Sequence, residues 1–258
     1  MKGMIFMQKI MIHGYSGKMG QMLEQVIKQN KGFEIVAGVG AKNEIEVSYD
    51  TYSDINMCEK IIDVIIDFSN AAAIDKLLDY ANMRRIPLVL CTTGISDATI
   101  KKIKKYSKNI PILMSANMCL GVNVVNSMLK QISNILYNSN FDIELLERHH
   151  RDKVDAPSGT ALLLADTIKS TLHHKMDYVY DRSDNKNEKR KKQEIGIYSV
   201  RGGTIAGEHS IIFAGEDEMI EIKHTAFSRK IFAEGAIKAA RFIVEKENGV
   251  YSMDDVIT

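Results

Sequence analysis

A chain of 258 residues is longer than most single cores, so it should hold one large domain or two, and two is the expectation. Apolar residues at 45% and charged residues at 26% match globular proteins and exclude a wholly disordered chain. With 34 basic against 33 acidic residues no overall field draws nucleic acid, three cysteines without metal-type spacing exclude a disulfide scaffold, and no apolar run approaches the ~18 residues that cross a bilayer.

Residues 9–13, 34–39, 64–68, 88–91 and 110–114 are short apolar runs that read as buried strands, separated by helical stretches at 19–29, 71–81 and 97–108. Strands alternating with helices at this spacing predict a Rossmann-type, doubly wound α/β fold with a parallel sheet covered on both faces. After Asn117 the rhythm changes. Residues 122–136 read as a long helix and 141–148 alternate like a half-exposed strand. Pro157 and Ser158 then start a helix over 161–172, with Leu162, Leu163, Ala165 and Ile168 on its apolar face. Residues 181–193 (DRSDNKNEKRKKQ) hold no aliphatic side chain and carry six basic against three acidic groups, the pattern of a mobile, solvated loop. Residues 194–225 read as several antiparallel strands with turns at 201–203 and 215–217. The last segment, 231–245, is an amphipathic helix with Phe232, Ala236, Ala239 and Phe242 on one side. The second half is therefore a separate α+β domain with a mixed or antiparallel sheet. An odd cysteine count without a secretory h-region points to a reducing, cytoplasmic setting, with no membrane and no nucleic-acid partner.

Immediately after the first strand stand Gly14, Tyr15, Ser16, Gly17, Lys18, Met19 and Gly20, and a helix follows. A nucleotide diphosphate needs this order of strand, glycine turn and helix. Glycines let the backbone come close, and the N–H groups at the positive helix end meet the phosphates. The G-x-x-G-x-x-G spacing is a variant of the usual fingerprint, and its position in the sheet gives it weight. No carboxylate stands at the end of the second strand to hold a free ribose 2′-hydroxyl. Glu44 is near, while Lys42 with Lys18 offers charge for a 2′-phosphate, so the coenzyme is NADPH or NADH. Two small, polar loops follow later strands: Cys91, Thr92, Thr93, and Ser115, Ala116, Asn117, Met118. Both lie at carboxyl ends, where a nicotinamide ring would sit.

Residues 147–160 (ERHHRDKVDAPSGT) pack five cationic or protonatable groups, among them His149, His150 and Lys153, before a helix start at Ser158, Gly159 and Thr160. Such a helix end favours a carboxylate or phosphate, which points to an anionic small substrate. A histidine titrates near neutrality and a lysine among cations is acidified, so His149 and Lys153 are candidates to move a proton. Adjacent histidines on a strand point to opposite faces and nothing completes a ligand set, so no metal is expected. A charged, solvated loop with an ordinary helix cap remains open from this segment alone. His173, His174, His209 and His224 lie apart and read as surface or structural residues.

The stretch from Glu147 to Ala161, with the Gly14–Gly20 turn, Cys91-Thr-Thr-Gly94, Ser115–Met118, Gly121-Val-Asn123 and Gly207-Glu-His209 in order, resembles the dihydrodipicolinate reductase family nearly end to end. The resemblance implies NAD(P)H-dependent reduction of a cyclic dicarboxylate, 4-hydroxy-tetrahydrodipicolinate or dihydrodipicolinate, to tetrahydrodipicolinate in lysine and diaminopimelate biosynthesis. It implies His149 as proton donor or acceptor, Lys153 as proton donor, and His150, Ser158, Gly159 and Thr160 at the substrate carboxylates. The nucleotide would touch Gly14, Tyr15, Ser16, Gly17, Lys18, Met19, Cys91, Thr92, Thr93, Ser115, Ala116, Asn117 and Met118. A discontinuous dinucleotide-binding domain (1–118 and 228–258), a substrate-binding and oligomerisation domain (119–227) and a homotetramer are also implied. This sequence has Cys91 where the family's glycine is expected. The rival readings are a nucleotide-sensing protein without chemistry and a reductase of another anionic imine or carbonyl compound.

Overall fold

The computed structural model describes residues 7–41, 45–183 and 188–257. The chain divides into two compact units, Met1–Leu120 with Arg229–Thr258, and Gly121–Ser228.

The first unit is built on β1 (Gln8–His13), β2 (Phe33–Val39), β3 (Asp50–Tyr52), β4 (Val64–Asp67), β5 (Leu88–Leu90), β6 (Pro111–Met114) and, from the returning chain, β12 (Gly249–Tyr251). These seven strands lie in the order β12-β6-β5-β4-β1-β2-β3, every pair parallel. The order reverses direction between β1 and β4, the switch point at which open α/β sheets bind ligands. Alternate residues of each strand serve opposite faces. Ile10 and Ile12 join a core with Leu23, Val26 and Ile27 of α1 (Lys18–Gln29), whereas Met11 joins another with Leu77 and Leu78 of α2 (Ile74–Arg84) and Ile103 of α3 (Asp97–Tyr106).

Three expectations shift here. The two extra strands, β3 and β12, are three-residue edges with half-exposed side chains, so no apolar run announces them. The helix expected from residue 71 begins as a single 3-10 turn, Ala71–Ala73, before α2 proper. In the helix α6 (Lys230–Ile243) Ala236 and Ala239 are buried as expected, together with Ala233, Ile237, Ala240 and Ile243, whereas Phe232 and Phe242 are only half-buried. Small side chains let this helix approach closely: a Cβ on Gly235 would collide with the Met118 carbonyl oxygen.

The second unit carries a mixed sheet of β7 (Asp142–His149), β8 (Asp177–Val179), β9 (Glu194–Arg201), β10 (Gly207–Ala214) and β11 (Met219–Ala226), in the order β11-β10-β7-β9-β8. It also holds most of α4 (Leu120–Asn138) and all of α5 (Gly159–Thr171). The β10–β11 hairpin turns through Gly215 to Glu218, as expected, with Asp217 left-handed at φ 60°. The strands of 194–225 alternate in direction as expected, but the pairing of the first with the second is corrected. β9 runs parallel to β7, and β7 stands between β9 and β10, so residues 201–203 do not close a hairpin. The connection from β7 to β9 contains α5, the kind of long crossover that a parallel pair requires.

In the segment 181–193, expected as a mobile, solvated loop, Asp181, Ser183, Glu188, Lys189, Lys191 and Gln193 are exposed, but Arg182, Arg190 and Lys192 are tied to the sheet. Of its described residues, Arg182 bonds Tyr198, Glu194 and Glu144, while Arg190 bonds Glu144 at 2.8 Å and Asp142 at 2.7 Å. Planar guanidinium forks find carboxylates on the open face of the sheet, an attachment that needs no apolar side chain. Among the described residues no helix is long and apolar enough to cross a membrane, and no group of three or more His, Cys, Asp or Glu side chains is arranged to hold a metal ion.

Candidate active site

The first unit's features converge where β1, β4 and β5 end. Gly14 has φ +88°, and a Cβ there would lie 2.6 Å from the Phe68 carbonyl oxygen. A Cβ on Gly20 would collide with the Gly14 carbonyl oxygen, so the first turn of α1 packs directly on the loop. Gly17 is different. It is exposed, its φ is an ordinary −77°, and a Cβ would meet only Gly14 O at 3.4 Å. Internal packing therefore explains the first and third glycines, and the second leaves an open approach to a helix end that no side chain caps.

The side chains around this turn sort themselves by burial. The Tyr15 ring is buried against Gly38 and Gly40, so only its backbone belongs to the turn. Ser16 and Met19 are half-buried, and Lys18 is exposed as the first residue of α1. Lys42 and Glu44 lie outside the described residues. A pocket of about 160 Å³ lined by Tyr15, Gly40, Thr51, Tyr52, Ser53 and Met57 adjoins the ends of β2 and β3.

Beneath the turn, the buried Asp67 accepts from Ser69 Oγ at 2.6 Å and lies 2.7 Å from His13 Nδ1. Cys91 is a buried packing residue whose thiol is pushed well up by burial and by the nearby Asp67. Thr92 is buried with no hydrogen-bond partner for its hydroxyl among the described residues, while Thr93 is exposed. Ser115 Oγ donates to the Asn117 carbonyl at 2.8 Å, which folds the Ser115–Met118 loop on itself, with Ala116 exposed and Met118 buried. A cradle that closes on any side chain, an uncapped helix end and a buried, unpartnered hydroxyl fit a dinucleotide lying across these strand ends.

In the second unit, β7 presents Ile143, Leu145, Glu147 and His149 to the covered face of its sheet. His149 Nδ1 lies 2.6 Å from Glu147 Oε2. Glu147 is completely buried, and it also accepts from both terminal nitrogens of Arg201, at 2.7 Å each, and from the Ser158 N–H at 3.1 Å. Burial works to raise the Glu147 pKa, but Arg201 and His149 outweigh it and hold the carboxyl at about 2. With Glu147 ionised, Nδ1 of His149 must be the donor. Burial lowers the His149 pKa below its ordinary value despite the neighbouring carboxylate.

Ser158 caps α5 by accepting from the Ala161 N–H at 3.2 Å, and its Oγ lies 3.0 Å from His209 Nε2. The His209 ring stacks edge-on against His149 at 5.2 Å between centroids, and burial pushes its pKa down to about 4. Gly159 is exposed, with open space where a Cβ would stand, and Thr160 follows half-buried in the first turn of α5. Lys153 donates to Asp155 at 2.8 Å, and its backbone N–H bonds the carbonyl of the half-buried His150.

The structure thus brings His149 and Ser158 onto one carboxylate, with Gly159 and Thr160 continuing from that helix start. Sequence reasoning overlooked Glu147, Arg201 and His209 as members of the site. For Glu147 a signal existed, because period-two alternation from Ile143 and Leu145 puts it on the same face as His149. Arg201 and His209 arrive from other strands.

Comparisons with known proteins agree with these two halves. Residues 8–118 match the family model described as dihydrodipicolinate reductase, N-terminus, and residues 121–257 match dihydrodipicolinate reductase, C-terminus. A 4-hydroxy-tetrahydrodipicolinate reductase of Clostridium novyi (strain NT) is 49% identical over 251 residues, covering 97% of this chain and 98% of that protein. The corresponding reductase of Caldanaerobacter subterraneus subsp. tengcongensis is 48% identical, with 97% and 98% covered. Among solved structures, a dipicolinate-bound dihydrodipicolinate reductase from Paenisporosarcina sp. TG-14 superposes with a TM-score of 0.80 at 22% identity, covering 97% of this chain and 99% of that one.

Proposed function

The chain belongs to the dihydrodipicolinate reductase family, and on that premise we propose which of its residues carry the reaction. The chain is an oxidoreductase, and its reaction is the NAD(P)H-dependent reduction that yields tetrahydrodipicolinate for lysine and diaminopimelate synthesis. When bound, the reduced nicotinamide supplies hydride.

The residues from Gly14 to Met19, together with Cys91, Thr92, Thr93 and Ser115–Met118, hold the nucleotide in the first unit. The coenzyme is NADPH or NADH, with NADPH admitted by the site. Support for this comes from the second strand, which leads into Gly40 and Ala41 with no carboxylate to repel a 2′-phosphate, and from the exposed Lys18. In the second unit His150, Ser158, Gly159 and Thr160 bind the carboxylates of the cyclic substrate, with the N–H groups and positive end of α5 offsetting charge. His149 exchanges the proton that accompanies reduction, and Lys153 is a second donor released from Asp155 when substrate carboxylates compete for its ammonium.

The observation that carries this reading is the single Glu147 carboxylate shared by His149 and the Ser158 N–H, which keeps a proton-transfer group beside an anion-binding helix start. The protein works as a homotetramer. The open face of the second sheet supports this, because Leu146, Tyr198, Val200 and Ile212 stand on it without full burial. Three buried free thiols suit a cytoplasmic enzyme. The deciding experiment is steady-state reduction of enzymatically generated substrate with each coenzyme, followed by loss of reduced-nicotinamide absorbance. Turnover with one or both coenzymes supports the assignment, and no turnover with either refutes it.

A further inference from the structure

The inward row of β7 is an apolar stripe that ends in a carboxylate and an imidazole, and the carboxylate is saturated. Oε2 of Glu147 takes His149 Nδ1 and one Arg201 nitrogen, while Oε1 takes the other Arg201 nitrogen and the Ser158 N–H. A carboxylate has about four acceptor positions, so these donors, arriving from β7, β9 and the start of α5, leave it no freedom to turn. Arg201 is itself anchored, donating to the Asp155 carbonyl at 2.6 Å and to the Val200 carbonyl at 2.8 Å.

We propose that Glu147 and Arg201 are positioning residues that hold His149 with its hydrogen on Nδ1 and its Nε2 as the atom that exchanges a proton with substrate. The proposal rests on the acid–base role assigned to His149. A second element of the fold points at the same atom. A Cβ on Gly207 of β10 would stand 3.1 Å from His149 Nε2 and 3.4 Å from its Cδ2, so a glycine there keeps the flank of Nε2 clear. Gly207 has no left-handed backbone that would otherwise demand glycine.

The pairing also sets the charge that the ring feels. The titratable and charged groups around it are Glu147 on its own strand, Arg201 on β9, His209 on β10 and Lys153 in the loop that follows. A lone buried carboxylate would keep a neighbouring imidazole protonated. Here a guanidinium grips the same carboxylate, so burial prevails, the ring rests neutral, and once protonated it is a stronger acid than free imidazole.

Histidine-labelled protein, with the His149 signals identified by their loss in His149→Gln, gives the direct test by nitrogen NMR. A pyrrole-type Nδ1 and a pyridine-type Nε2 at neutral pH are expected in the unaltered enzyme, and the opposite tautomer overturns the proposal. This measurement decides even where a substitution at the buried Glu147 prevents folding. In kinetics, Glu147→Gln should lower kcat at least about tenfold with both KM values changed only a few-fold. Arg201→Met should move the kcat pH profile upward, because the bare carboxylate favours imidazolium, and Arg201→Lys should restore part of that shift. Gly207→Ala should lower kcat without altering the tautomer. An unchanged kcat in a folded Glu147→Gln enzyme, or an unmoved pH profile in Arg201→Met, refutes the positioning roles. Full kcat in Gly207→Ala refutes Nε2 as the working atom. If His149→Gln retains the parental rate, the acid–base assignment itself falls; if it is slow while these other results fail, only the positioning proposal falls.

Discussion

His13 Nδ1 lies 2.7 Å from Asp67 Oδ1, joining the ends of β1 and β4 at the residue before the glycine turn. Both side chains are buried, and Phe68 N–H bonds the His13 carbonyl at 2.9 Å, so the pair stitches the floor on which Gly14 rests. His13→Ala leaves the buried Asp67 without its imidazole partner, and a buried polar group left short of a hydrogen bond costs about 1–3 kcal/mol. The expected outcome is a markedly lower Tm with a raised coenzyme KM. The double variant His13→Ala, Asp67→Asn should recover part of the stability lost in His13→Ala, as a cycle closed with Asp67→Asn and read by thermal melts will show.

The three glycines should separate experimentally. Gly20→Ala forces a methyl into the Gly14 carbonyl oxygen, so the variant should be strongly destabilised. Gly17→Ala meets only ordinary contact and should melt within a degree or two of the parent, yet lose coenzyme affinity roughly tenfold or more. Calorimetry paired with coenzyme titration checks both halves. Unchanged affinity in Gly17→Ala would mean that nothing approaches the turn from outside.

Acid should weaken the second unit well before carboxylates in general are protonated. Burial pushes His209 from its ordinary 6.5 down to about 4, so between these values the unfolded chain binds a proton that the folded unit does not. Stability is then whole above this window and falls as pH drops through it, by on the order of 3 kcal/mol if the shift is fully expressed. Glu147, held at about 2, acts in the same direction at still lower pH. A His209→Gln variant should show a flatter Tm between pH about 4 and about 6.5, and an unaltered slope would contradict the assignment.

His149→Gln should cut turnover by roughly 10²–10⁴ while coenzyme binding stays near parental strength. A loss within a few-fold, measured under saturating substrate, would remove His149 from the proton-transfer role.

The tether at 188–193 also has a direct readout. Arg190→Ala removes bonds to Glu144, Asp142 and the Ile143 and Glu194 carbonyls. Limited proteolysis should then cut within residues 181–193 several-fold faster than in the parent. Equal rates would show that the remaining contacts, Arg182 to β7 and β9 and Lys192 to the Phe141 carbonyl, suffice to secure the described residues of the segment.

What the sequence disclosed follows from how far its signals reach. Buried strands such as Val64–Asp67 advertise themselves because apolar runs are local, and the glycine turn is legible because its order is local too. The edge strand Asp50–Tyr52 carries no apolar run, and the side chains of Arg182 and Arg190 give no hint that their partners lie on β7 and β9. The site divides the same way. His149, Ser158 and their neighbours fall within fourteen consecutive positions, 147–160. Arg201 reaches Glu147 across 54 residues of sequence and His209 reaches Ser158 across 51, distances that only strand pairing spans. Glu147 was hidden for another reason: in a half-exposed strand a carboxylate reads as a solvent-facing residue until its register is counted.

The second unit is inserted between two pieces of the first. On the ribosome, residues 121–228 emerge whole while the parallel sheet still lacks its β12 edge and the alanine face of α6 that seals one of its cores. Domains generally mature in the order of their synthesis. In this polypeptide the second unit is free to mature first, and the first, though begun earlier, waits on its own last segment with Ile10, Ile12 and Leu23 unsealed, a nascent surface suited to chaperone capture.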